Sequence, residues 1–177
     1  MREYVTEAIV LGLRLQGEHD RWVDLFTRDL GLLAARVVGG ARARSKLAPH
    51  LAPPNLVLVR LVRTARYTLA DAGTRDRFEA TRATPDTLGR SLELVALVRR
   101  LTPPVAPDRS LWECLVWSLG RGEPAVRPVL ALLGHDPHRA RCARCGETPV
   151  LWVALSDHTL LCGLCAAPFP VSDLVRV

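Results

Sequence analysis

The amino-acid sequence predicts a multidomain α+β protein, in which a short-stranded β-barrel precedes a small α-helical domain bearing a four-cysteine module. Three observations predict it. Over the first eighty residues, apolar and β-branched runs of strand length alternate with turn residues. From Thr84 the apolar spacing lengthens from two to about 3.6 residues. Four cysteines then fall as two Cys-x2-Cys pairs. The expected divisions are 1–80 for the barrel, 81–138 for the helices, 139–167 for the cysteine module and 168–177 for a C-terminal tail.

Tyr4 to Arg14 is an apolar strand candidate that breaks at Gln16, Gly17 and Glu18; Arg21 to Thr27 and Leu32 to Val38 flank the turn Arg28 to Gly31. These read as three consecutive antiparallel strands. A basic loop runs from Gly39 through Lys46. The Pro49, Pro53, Pro54 segment that follows cannot form a central strand. Asn55 to Val62 and Tyr67 to Ala72 supply two more. Five strands with one long connection fit an OB-fold-like barrel, and a sandwich edge or an SH3-like barrel fits the pattern nearly as well.

Thr84 is the expected N-cap of a first helix, with Pro85 at its first position and Leu88, Leu92, Val95 and Leu101 on one face before Pro103 and Pro104. A second runs from Asp108 to Leu119 and ends at Gly120, with Leu111, Trp112, Leu115 and Leu119 on its core face. A third lies between Pro124 and Gly134. Trp112 and Trp117 are expected in the core, and Cys114 reads as a buried small hydrophobe.

Cys142-x2-Cys145 and Cys162-x2-Cys165 have the spacing at which two tight turns each offer a pair of thiolates to one tetrahedral ion. Four sulfurs favour one structural zinc per chain over an iron–sulfur cluster, and they leave no coordination position open for hydrolysis. Two disulfides would be unusual in a reducing compartment. His135, His138 and His158 are expected at the surface or behind the ligands. The apolar segments Val150 to Leu155 and Leu160 to Leu161 suggest a hairpin between the pairs.

The formal charge is +6, and 23 of the 24 basic residues are arginine. Position says more than the total. Leu30 to Ala70 holds Arg36, Arg42, Arg44, Lys46, Arg60, Arg63 and Arg66 without one Asp or Glu, which marks a segment that attracts polyanions. No apolar run approaches the ~20 residues of a membrane span, and the N-terminus has no secretory h-region. A cytoplasmic, nucleoid-associated protein without membrane contact is expected. Catalytic signatures are missing: Gly39 to Lys46 lacks the Gly-Lys-Ser/Thr ending of a phosphate loop, and Glu18 and Asp20 read as turn residues. No enzyme and no small-molecule substrate are expected.

The order Glu7 to Phe26 with Gly17, Glu18 and Asp20, then Leu25 to Thr27, Gly31, Gly39, Ser45, Leu47 and Leu51, resembles the N-terminal barrel of the bacterial recombination mediator family RecO. Leu130 to Cys145, with Leu132, Leu133, Gly134 and Pro137, resembles that family's approach to its zinc module. The chain reads as a short member. It departs at Leu32 and Val38, where family members usually carry basic residues. The resemblance implies binding of single- and double-stranded DNA, annealing of complementary strands, and help in loading RecA, with RecR, onto DNA coated by single-stranded DNA-binding protein.

For such a binder, Arg42, Arg44 and Lys46, then Arg36, Arg63 and Arg66, are the expected phosphate contacts, and Trp22 and Tyr67 the candidate stacking rings, with burial in the barrel core as the alternative for both and the favoured one for Trp22. Two other readings stand beside it: an RNA-binding or ribosome-associated zinc-ribbon protein, and a protein-binding adaptor using its helices. In the mediator reading, the region of Leu92, Val95, Trp112 and Leu115 is the candidate dock for the acidic tail of single-stranded DNA-binding protein, with a bundle core formed by these residues as the equal alternative.

Overall fold

The computed structural model describes residues 1–42 and 45–177. Its first half holds β1 (Arg2–Gln16), β2 (Asp20–Thr27), β3 (Gly31–Val37), β4 (Leu56–Arg63) and β5 (Tyr67–Asp76). The long β1 pairs with β4 through its first residues and with β2 through its last, changing register between Val10 and Gly12. The sheet closes in the order β1-β2-β3-β5-β4, and the closure between β3 and β5 is a short parallel contact, Ala35 to Tyr67 and Arg36 to Thr68. Alternation sorts the side chains. Ala8, Val10, Val23, Leu25, Leu33 and Ala35 point inward to one core, while Ile9, Leu11 and Phe26 point outward and are buried in a second. Both faces of β1 are therefore covered at Ala8 to Leu11, which explains its unbroken apolar run.

The second core belongs to the helices α1 (Glu79–Arg82), α2 (Pro85–Leu101), α3 (Arg109–Arg121) and α4 (Val126–Leu132). The Thr84 hydroxyl accepts from Thr87 N at 3.1 Å, and Thr87 Oγ1 accepts from Thr84 N at 3.2 Å, which satisfies two donors at the start of α2. Asp108 caps α3 by accepting from Leu111 N. Gly120 lies inside α3, two residues before the true stop at Gly122, whose φ of +67° suits a glycine.

Three expectations for the helices are corrected. The buried face of α2 is Leu94, Val95, Leu97 and Val98, with Leu92 38% exposed, because α2 meets both β1 and the C-terminal sheet and its buried arc centres between them. Trp112 is buried beside Phe26, but Trp117 is 54% exposed with the Arg121 guanidinium over its ring. Val95, Trp112 and Leu115 are thus core residues, and no docking surface is open at them.

The C-terminal part forms a three-stranded sheet of β6 (Trp152–Ala154), β7 (Thr159–Leu161) and β8 (Leu174–Arg176) in the order β7-β6-β8, with a one-turn helix α5 (Gly163–Ala166). The expected tail therefore contains a strand: Leu174, Val175 and Arg176 pair with Ala154, Val153 and Trp152. Val153, Leu160 and Val175 enter the helical core, so this sheet and the outer face of the barrel share one apolar interior. Among the described residues no helix is long and apolar enough to cross a membrane.

Candidate metal centre and basic barrel face

The opposite face of the C-terminal sheet is built around the cysteines. Ala154 and Leu161 pack with Cys142 and Ala166, and half-buried Trp152, Cys162, Cys165 and Phe169 complete the cluster. Cys142 to Gly146 make the first tight turn, closed by Gly146 N donating to Cys142 O at 2.8 Å. The second begins at the end of β7 and continues into α5, where Ala166 N donates to Cys162 O. The four sulfurs all lie within 4.8 Å of one another, and no histidine belongs to the group.

The Cys145 and Cys162 sulfurs are 3.7 Å apart. Two thiolates on a tetrahedral ion with ~2.3 Å bonds sit about 3.8 Å apart, whereas a disulfide needs about 2.05 Å. The residues present therefore fit a metal ion. The electrostatics agree with the geometry. Backbone amides, that of Cys162 foremost, draw the Cys142 thiol down to about 6, while the neighbouring sulfurs, Cys145 foremost, push Cys165 up to about 12. Four thiolates cannot share this space without a cation to balance them. Cys114, on α3, lies outside the group, and burial pushes its thiol up.

On the barrel, directly opposed residues place Arg14, Trp22 and Arg36 in one row across β1, β2 and β3. Residues so paired share a face, and this one is the outer face. Trp22 is half-buried there. Arg36 donates to Asp20 Oδ2 through Nε at 2.9 Å and Nη2 at 2.5 Å, and Asp20 Oδ1 accepts from Gly39 N at 2.8 Å. The Gly39 amide first, and Arg36 next, hold the Asp20 carboxyl below its usual range. This carboxylate ties the basic loop to β2.

Arg42 and Lys46 are exposed on that loop, and Arg44 lies outside the described residues. Arg63 and Arg66 are exposed at the turn between β4 and β5, beside the seam where β5 meets β3. Tyr67 is corrected as a stacking ring: it is buried, meets Tyr4 edge-on at 6.1 Å and carries the Arg63 guanidinium over its face at 5.3 Å. A hydrogen bond from Arg2 leads the effects that lower the Tyr4 phenol, which reports the positive surroundings of the seam. Arg14 was not singled out by the sequence, although strand alternation from Gly12 would have placed it outward.

A family model described as the N-terminal region of recombination protein O matches residues 1–71. The chain is 30% identical over 161 residues to the DNA repair protein RecO of Myxococcus xanthus, covering 84% of this chain and 66% of that one. It is 29% identical over 179 residues to the protein of the same name from Pelotomaculum thermopropionicum, with 94% and 70% covered. For that of Rhodopseudomonas palustris (strain BisB18) the identity is 35% over 160 residues, with 82% and 61% covered. The chain spans about two thirds of the length of these relatives, from 61% to 70%.

Proposed function

Because this chain belongs to the RecO family of DNA repair and recombination proteins, we propose that it acts in recombination by binding and without catalysis. In this reading residues 1–80 are an OB-fold-like barrel that holds single- and double-stranded DNA, 81–138 a helical domain, and 139–167 a zinc module to which β8 adds an edge. The protein works in the cytoplasm at the nucleoid, anneals complementary strands, and with RecR helps RecA load onto DNA coated by single-stranded DNA-binding protein.

The observation that carries the reading is the outer-face row Arg14–Trp22–Arg36, next to a loop bearing Arg42 and Lys46. An aromatic residue between two arginines in the row, each held by a carboxylate of β2 with N–H donors to spare, offers a base a surface to stack on and its phosphates donors on either side, with no dependence on base identity. Arg44, Arg63 and Arg66 extend the phosphate contacts. Cys142, Cys145, Cys162 and Cys165 hold one structural zinc, which bound here would supply cross-linking of the two turns and no reactive position.

The test is an annealing assay with complementary oligonucleotides coated by single-stranded DNA-binding protein. Acceleration over the coated strands alone supports a mediator. A protein that binds the bare strands but leaves annealing unchanged is a generic basic binder, and the mediator reading is then lost.

A further inference from the structure

The arginine row does not end at the barrel. Where α2 finishes, a cleft of about 360 Å³ opens between the helix and the sheet, lined by Arg14, Asp24, Ala34, Arg99, Arg100 and Pro104 among others. Three guanidiniums there face one carboxylate. Asp24 is 6% exposed and engages two of them: Arg14 donates Nε and Nη2 at 3.2 and 2.7 Å, and Arg99 Nε stands 3.3 Å from Oδ2. A guanidinium carries five N–H donors, so both arginines are fixed in place with donors to spare. Arg100 is exposed and pairs with no carboxylate among the described residues.

Two further features hold the cleft in this shape. A side chain at Gly12 would meet the Arg99 guanidinium at 2.5 Å, so the bare backbone of β1 is what lets Arg99 lie across the strand. After α2, Val105 N donates to Leu32 O at 2.8 Å, and Pro104 bridges to Leu32, which pins the end of the helix to β3. Basic residues in a last helical turn also complement the helix dipole. That role needs no contact with the barrel, and it does not account for Arg99 reaching Asp24 on β2.

We propose that this cleft is a phosphodiester-binding site, by which the helical half contributes Arg99 and Arg100 to the path of a nucleic-acid strand running over Trp22 and Arg14. The proposal rests on the DNA-binding reading above. The strand's base stacks at Trp22, and its neighbouring phosphate sits beside Arg14 within reach of Arg99 and Arg100. Asp24 is a positioning residue, since its oxygens are already occupied by Arg14 and Arg99.

The experiment is a salt titration of binding to a fluorescein-labelled single-stranded oligonucleotide of mixed sequence, read by anisotropy. Each phosphate contact contributes roughly 0.7 to the log–log slope, so Arg99→Gln with Arg100→Gln should lower it by about 1.4 and weaken binding about tenfold near 0.1 M salt. Arg127→Gln on α4 with Arg139→Gln, an equal loss of charge away from the cleft, should leave slope and affinity near wild type. Arg100→Gln alone removes an exposed side chain with no carboxylate partner among the described residues and should give about half the slope change, which keeps the test open if the double variant fails to fold. Arg99 and Arg100 variants that match the Arg127 and Arg139 control, while Arg42→Gln with Lys46→Gln still flattens the slope, overturn the cleft and leave the barrel reading standing. Wild-type protein whose binding ignores salt overturns both.

Discussion

Cys145 and Cys162 lie 17 positions apart in sequence, yet their sulfurs stand 3.7 Å from each other in space. Little apolar surface lies beneath them, and segments this small seldom hold together without a metal or disulfides. Protein purified under reducing, chelator-free conditions should carry close to one zinc per chain, and Cys145→Ser or Cys162→Ser should lose it. Structural zinc in small modules supplies on the order of 10 kcal/mol of apparent free energy. Because Val153, Leu160 and Val175 belong to the helical core, the loss should spread beyond Trp152 to the helices and lower their thermal midpoint. Elemental analysis finding no metal in the wild type would remove the zinc assignment.

A second expectation concerns acid. The folded state holds Asp20 below the usual carboxylate range, through the Gly39 amide and Arg36. The stabilisation is therefore complete above the unfolded value of about 3.9 and fades as pH falls through the lowered folded value. The protection of the Gly39 amide relative to its intrinsic exchange rate should fall only below about pH 4 in the wild type. In Asp20→Asn that protection should already be low at neutral pH, with no further acid step. Equal protection in both proteins would show that the loop is held by something else.

The outer-face row and the buried seam should behave differently on the same oligonucleotide. Trp22→Leu should cost about 1–3 kcal/mol of single-strand affinity with an unchanged salt slope, since stacking releases no counterions. Tyr67→Phe should leave affinity unchanged, because its ring is enclosed by Tyr4 and Arg63. Fluorescence quenching on binding that persists in Trp22→Leu would move the stacking site elsewhere, Trp117 being the next exposed ring.

Gly31 adopts φ +70°, and a Cβ there would come within 2.3 Å of Ala106 O, which is backbone and cannot step aside. Gly31→Ala should therefore lever the segment after α2 away from β3 and cost on the order of 2–4 kcal/mol in urea unfolding. Gly17→Ala, at φ +63° with open space around it, is the comparison: it bears backbone strain alone and should cost less.

The elements that were legible in the sequence are those specified by residues close together. Thr84 and Asp108 announce their helices, turn residues punctuate the five barrel strands, and the cysteine spacing marks the metal group before any fold is known. What stayed hidden depends on partners far along the chain. Trp22 and Tyr67 look alike as strand aromatics, but Trp22 stands opposite Arg14 and Arg36 on the outer face, while Tyr67 stands opposite the inward-facing Ala35. Their roles are set by register across strands. The stripe on α2 was misplaced at Leu92 because helical period alone does not say how many neighbours a helix has. β8 is three residues long, and only its pairing with β6 makes it a strand.

The two interiors also differ in how much chain each needs. Every buried residue of the barrel interior lies between Ala8 and Ala72, whereas the other gathers residues from Ile9 to Val175. During synthesis the first can therefore consolidate early, while Ile9, Leu11 and Phe26 remain an apolar patch on its outside. They stay uncovered until α2 and α3 have emerged, and Val153 waits longer still, for the strand that carries Val175. A nascent chain arrested at residue 80 should expose that patch and recruit a holdase, and one extended past α3 should release it.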